Sequence, residues 1–286
     1  MDSLGARPPL VVDAPSLLAG GFTLTAKYLE TGGTRLSTQS GGTGWLRRYA
    51  PARWGAGVVS GSLDSAIHRA FLTLVGCVSR SGNRRWLTRI DEMLRAEDRI
   101  VQLEVATSLG ISVPRTLIAS SAERVIDEFG PRFVVKPLAL GLYWGPDGPR
   151  AVYTSELDAT TARELDFGGA PFMAQELIEA EQHYRIVTAL DRAWVASLSA
   201  MGRPLDWRRQ EQAHHEWMPA EDSTCARLAV RLTQELGVGY SSQDWLIRGD
   251  ERFFVDLNPG GQWLFLPPEI ATDVTGEIAR FLAESK

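Results

Sequence analysis

The 286-residue sequence predicts a mixed helix-and-strand protein of two or three lobes, and three observations carry that expectation. Residues 97–110 follow helical spacing at Ile100, Leu103, Val105, Ala106 and Leu109, with Gly110 as the stop and Pro114 soon after. Arg132-Phe133-Val134-Val135-Lys136-Pro137 reads as a short buried strand that ends at proline. Near the C-terminus, Gln243 to Ile247 and Phe253 to Asn258 read as the arms of a hairpin, with Gly249-Asp250-Glu251 as a three-residue loop.

In chain order, Pro9 to Val12 is a possible first strand, Thr31 to Gly44 is a Gly/Thr/Ser-rich loop or turn, and Ser62 to Val78 is helical. Beyond Lys136, Leu138 to Arg150 carries three glycines and Pro146 and reads as a flexible loop. Strands follow at Ala151 to Thr154 and Phe172 to Leu177, with a helix between them at about 159–164. Ile186 to Leu190 and Ala193 to Ser199 form a hairpin across Asp191-Arg192, and Thr224 to Leu236 and Asp273 to Leu282 are amphipathic helices.

Counting back from the C-terminal loop sets Asp244 opposite Asp256, with Asn258 on the same face. Facing like charges are unfavourable unless a cation lies between them. One carboxylate per strand plus an amide oxygen suits Mg²⁺, which completes its shell with phosphate and water. The other reading is a surface hairpin with solvated acids; Trp245, Ile247, Phe253, Val255 and Leu257 argue against it by making the opposite face apolar.

Composition bounds the function. The net charge of -5 disfavours a nucleic-acid partner, no run of eighteen apolar residues predicts a membrane span, and the N-terminus lacks signal-peptide features, so the expectation is cytoplasmic. Cys77 and Cys225 lack metal-ligand spacing and read as reduced thiols. Lysine occurs only at 27, 136 and 286. Lys136 is therefore either a solvated strand end or a cation for a phosphate, and a glycine loop and a strand after Gln175-Glu176 would suit the rest of a nucleotide.

In this order the pieces resemble the ATP-grasp fold, the carboxylate-amine ligases. The twelve-residue interval from Asp244 to Asp256 followed by Asn258 resembles the family's magnesium signature, with Asp256 where Glu is more usual. Trp45-Leu46-Arg47-Arg48, Glu97-Asp98-Arg99, Pro114-Arg115-Thr116-Leu117, Asp206-Trp207-Arg208-Arg209 and Asn258 to Trp263 are most similar to the graspetide (microviridin-type) synthetases. The resemblance implies an α+β fold, two lobes clamping ATP, with a shortened pre-ATP-grasp lobe at 1–105, a central lobe at 106–180 and a C-terminal lobe at 181–286.

It further implies that Arg99 and Lys136 contact the nucleotide phosphates, that Gln175, Glu176, Leu177 and Ile178 form the adenine hinge, and that Arg185 and Arg208 face the transferred phosphate. Arg99 replaces a more usual lysine. His183 stands where an acid usually holds the ribose, leaving Glu179 or Glu181 for that task. The alternative reading makes Arg185 and Arg208 surface salt-bridge partners, Trp207 and Trp263 core aromatics, and His214-His215 a loop or surface pair. The cofactors implied are ATP and Mg²⁺. Three functions compete: a ligase forming ester or amide crosslinks in a precursor peptide, a ligase of amino acids or other small carboxylates and amines, and a non-catalytic nucleotide-binding protein. A homodimer is compatible with each.

Overall fold

A computed structural model describes residues 10–12, 21–39, 41–49, 58–138, 142–145, 148–151, 154–164 and 171–284. The N-terminal part opens with an antiparallel sheet of β1 (Phe22–Leu24), β2 (Tyr28–Thr31) and β3 (Thr34–Ser37). Gly32 and Gly33, at φ 54° and 73°, supply the two positive-φ positions that a two-residue hairpin turn between β2 and β3 needs. The turn expected within Thr31 to Gly44 is thus present at Gly32-Gly33, but it leads into a strand at Thr34–Ser37 and does not form part of one continuous loop. Pro9 lies outside the described residues, and Leu10 to Val12 form no strand.

β4 (Thr43–Gly44) pairs in parallel with β5 (Arg85–Trp86), and between them runs helix α1 (Leu63–Arg80), capped by the Ser62 side chain. Two helices follow, α2 (Ile90–Ala96) and α3 (Arg99–Ser108). Asp98 caps α3 by accepting from the Ile100 and Val101 amides, which sets Arg99 at the first helical position.

The central sheet is antiparallel, ordered β10-β7-β11-β6, from β6 (Thr116–Ala119), β7 (Arg132–Lys136), β10 (Ser155–Asp158) and β11 (Phe172–Glu176). Alternation divides its faces. Phe133, Val135, Phe172 and Ala174 join a core with Ala122 and Val125 of α4 (Ala122–Phe129) and Ala162 of α5 (Ala159–Glu164). Val134, Lys136 and Gln175 point the other way, into a cleft. Between β7 and β10 lies a separate two-stranded hairpin, β8 (Leu142–Gly145) with β9 (Gly148–Ala151). At 142–145 and 148–151 strands thus stand where a flexible loop was expected over 138–150; of the strand expected at 151–154, Ala151 belongs to β9, Thr154 to no strand, and 152–153, like 139–141 and 146–147, lie outside the described residues.

The larger sheet, also antiparallel, is ordered β14-β13-β12-β15-β16, from β12 (Gln182–Ala189), β13 (Arg192–Ser199), β14 (Met218–Ala220), β15 (Tyr240–Arg248) and β16 (Glu251–Asn258). One face, with Ile186, Val195, Trp245 and Phe254, packs on α3 and on α6 (Ser223–Glu235). On the other, Val187, Ala196, Leu198 and Tyr240 pack under α7 (Pro268–Ala283) and the 3₁₀ turns at Trp207–Arg209 and Glu211–His215. Among the described residues no helix is long and apolar enough to cross a membrane.

Candidate active site

The register of β15 and β16 places the two carboxylates. The hairpin turns tightly, with Arg248 opposite Glu251, so Gly249 and Asp250 alone form the loop. From there Trp245 pairs with Phe254, yet Asp244 pairs with Asp256, because a bulge at this point adds Val255 to one strand only. The extra residue switches which side chains face the core. Phe254 packs against Trp245 at 5.6 Å between ring centroids, whereas Val255, expected in the core, lines the cleft. Buried Gln102 fixes α3 to this strand: its amide donates to the Leu257 carbonyl and its oxygen accepts from the Leu257 N–H, both at 2.8 Å.

Each carboxylate is met by a guanidinium. Arg185, directly across from Asp244 on β12, donates to Asp244 Oδ1 at 2.6 Å, and Arg99 Nε stands 3.4 Å from Asp256 Oδ1 while its Nη1 donates to the Pro137 carbonyl. Arg208 donates through Nε and Nη2 to both oxygens of Asp206, at 2.7 and 2.8 Å, in the forked geometry that fixes a guanidinium plane. Asp206 is almost fully buried and also accepts from the Arg208 N–H, and this hydrogen-bonded partner raises the Arg208 pKa.

Lys136 enters the same cleft from the end of β7. It is buried, and burial lowers its pKa to about 8; Asp256 and Asp244 oppose the shift, while Arg99 and Arg208 reinforce it. His183, one β12 step of two from Arg185, lines the cleft beside Leu246, and burial lowers its pKa, so it is neutral at pH 7.

In the segment expected as the adenine hinge, Gln175 donates to Thr116 Oγ1, and Glu176 accepts from the Arg115 N–H and Nε at 2.9 Å. Their side chains are thus engaged within the central sheet, although both residues also line the cleft. Ile178 lines the cleft; Leu177 does not. Arg185 and Asn258 adjoin the cleft through Asp244 and through β16. Asn258 Oδ1 accepts from the Gly260 N–H at 2.9 Å and keeps a second lone pair.

No group of three or more His, Cys, Asp and Glu side chains could hold a metal among the described residues. A cation at this place would rest on two carboxylates and an amide oxygen. That set fits Mg²⁺ completed by phosphate and water better than an ion caged by protein alone.

No family model matches the sequence, and no curated protein matches it. Solved structures do match. The macrocyclase MdnC bound with precursor peptide MdnA from Microcystis aeruginosa MRC is 23% identical, with a TM-score of 0.73 over 90% of this chain and 83% of that one. A RiPP-associated ATP-grasp ligase of Chryseobacterium gregarium, in complex with ADP and a leader and core peptide, is 20% identical with a TM-score of 0.73, over 92% of this chain and 83% of its own. The ATP-grasp ligase PsnB complexed with minimal precursor is 17% identical with a TM-score of 0.70, over 98% and 91%. This chain has the ATP-grasp fold.

Within the ATP-grasp chain, the other singled-out residues find ordinary places. Trp207 and Trp263 are buried in the core under α7, although Trp207 also forms part of the cleft wall. His214 packs edge-on against Trp207 at 5.0 Å, and His215 is exposed. Cys77 and Cys225 are free thiols. Asp206 and Gln102 are the positioning residues that sequence reasoning did not single out for a role. Each is a polar residue that becomes buried, and only the partner that satisfies it reveals its task.

Proposed function

We propose that the chain is an ADP-forming ATP-grasp ligase that forms side-chain ester or amide crosslinks in a ribosomal precursor peptide. One observation carries the reading: Lys136, Arg99, Arg185 and Arg208 gather around the facing pair Asp244 and Asp256, at a cleft between two antiparallel sheets. The fold-level likeness to ligases described with precursor peptides supports the peptide as substrate.

In the division 1–105, 106–180 and 181–286, the central lobe brings Lys136 and the hinge after Gln175 and Glu176 to one side of the nucleotide. The C-terminal lobe brings Asp244, Asp256 and Asn258 to the other. Mg²⁺ on these three residues would offset phosphate charge. Lys136 and Arg99 neutralise the nucleotide phosphates, and Arg185 and Arg208 face the phosphoryl group in transit. A substrate carboxylate oxygen attacks the γ-phosphorus and ADP leaves; a hydroxyl or amine then attacks the acyl carbon, phosphate departs and the nucleophile loses its proton. The β8–β9 hairpin pairs with neither larger sheet, and an isolated two-stranded ribbon is marginally stable alone. It serves as a cover that excludes water. Its amide hydrogen exchange is expected to slow when a non-hydrolysable ATP analogue and Mg²⁺ are added; equal exchange in both states removes it from the mechanism.

The test of the reaction is incubation with ATP, Mg²⁺ and the peptide encoded by a neighbouring short reading frame. Each crosslink expels one water, so the peptide mass is expected to fall by about 18 Da per bond with ADP and phosphate as coproducts. ATP consumed with free amino acids alone would assign the chain to small-carboxylate ligation, and AMP with pyrophosphate would refute acyl-phosphate activation.

A further inference from the structure

Two guanidinium groups converge on Gln262, on the side of Asp244 away from the cleft wall at Leu246. Along the site face of β15, Leu246 is followed by Asp244 and then by Ser242, which lies under Gly261; a Cβ at Gly261 would stand 2.5 Å from the Ser242 Cβ. One residue on, the Gln262 side-chain oxygen accepts from Arg47 Nη2 at 2.5 Å, and its carbonyl accepts from Arg185 Nη2 at 3.5 Å.

The place is built rather than incidental. Arg47 lies 5.0 Å from the Trp263 ring and 6.0 Å from the Trp45 ring. Its backbone is flush with the loop, since a Cβ at Gly260 would stand 2.1 Å from the Arg47 carbonyl oxygen. Arg47 makes no ion pair among the described residues, and its Nε, like that of Arg185, is buried without a hydrogen-bond partner. Burial and the neighbouring Arg48 both lower its pKa, and no carboxylate opposes them. Of the two guanidiniums only Arg185 meets a carboxylate, Asp244, which the proposed function assigns to Mg²⁺. With Asp244 taken by a metal, buried Arg185 and half-buried Arg47 would both be short of an anion. Gln262 is exposed, so an anion can reach them from solvent.

We infer that Arg47, Arg185 and Gln262 form the subsite for the substrate carboxylate that is to be phosphorylated, with Arg47 as its specificity-determining residue. A carboxylate lying over Gln262 accepts from both guanidiniums, level with Asp244 and opposite the nucleotide. The inference rests on the ligase reading for the direction of the chemistry, but carboxylate binding can be measured without turnover.

The experiment saturates the full chain with Mg²⁺ and ADP and titrates N-acetyl-L-glutamate α-amide, which carries one carboxylate, against its neutral glutamine counterpart, by ligand-observed NMR. The acid is expected to bind and the amide not, Arg47→Gln to weaken the acid about tenfold or more, and Arg47→Lys to fall between them because it keeps the charge without the planar fork. Nucleotide affinity should be unchanged in both variants. Absence of saturable acid binding, equal binding of acid and amide, or unchanged binding in Arg47→Gln each overturns the subsite. With ATP and hydroxylamine added, a bound acid should yield its hydroxamate. Selective binding that depends on Arg47 but yields none would refute the ligase reading and leave the subsite standing.

Discussion

Asp256→Asn is expected to lower ATP turnover on the order of a hundredfold or more, since losing even an outer partner of a metal ligand costs about 10–100-fold. The same substitution should leave the fold almost untouched. Asp256 meets Arg99 at 3.4 Å with both side chains 29% exposed, a pair of the kind that contributes about 0–1 kcal/mol. Asp244→Asn is the poorer test. Asp244 holds Arg185 at 2.6 Å, and the Arg185 side chain is only 11% exposed, so that change also strands a buried guanidinium and can lower stability by about 3 kcal/mol or more. Turnover, Mg²⁺ dependence and melting temperature measured together separate the two. Wild-type turnover by Asp256→Asn at ordinary magnesium would remove Asp256 from the proposed metal site.

The facing carboxylates are legible in the sequence, although two departures from a regular hairpin cancel to give that pairing. The sequence predicts a three-residue loop where the turn has two residues, and the missing residue returns as the bulge at Val255. Register counted from a turn is only as good as the assumption that the ladder is regular, and bulges concentrate near functional sites. The bulge leaves its mark on the other face, where Phe254 instead of Phe253 or Val255 packs on Trp245. Lys136 was legible for a sounder reason: period-two alternation in β7 sends Phe133 and Val135 to the helices and Val134 and Lys136 to the cleft. The hairpins at 28–37 and 142–151 were obscured because glycine marks both loops and tight turns; at Gly32-Gly33 the pair between β-prone residues was the available signal. Arg47 and Gln262 are brought together from 215 positions apart, a distance at which sequence spacing carries no information.

Lys136→Met is expected to act with opposite signs on nucleotide binding and on stability. The buried ammonium of the free protein is held at a pKa of about 8 against an ordinary 10.5, chiefly by burial. Below pH 8 both folded and unfolded chains keep this proton, and the folded state carries the full cost of the buried charge, about 3 kcal/mol at 1.36 kcal/mol per unit. Between 8 and 10.5 the unfolded chain holds a proton that the folded chain has lost, so this contribution to stability rises with pH; above 10.5 the cost is gone. Methionine fills similar volume without a charge, so the variant should melt higher than the wild type at pH 7, with the difference shrinking toward pH 10. Its affinity for Mg²⁺ and a non-hydrolysable ATP analogue should instead fall by about tenfold or more, the loss of a charge-assisted hydrogen bond to phosphate. In the wild type a phosphate bound beside Lys136 is expected to restore its proton. Calorimetry near pH 8.5, in buffers of different ionisation enthalpy, should therefore show proton uptake on binding, and affinity should decline as pH passes 8. A melting temperature that falls in Lys136→Met, together with unchanged nucleotide affinity, would reduce Lys136 to the end of a strand.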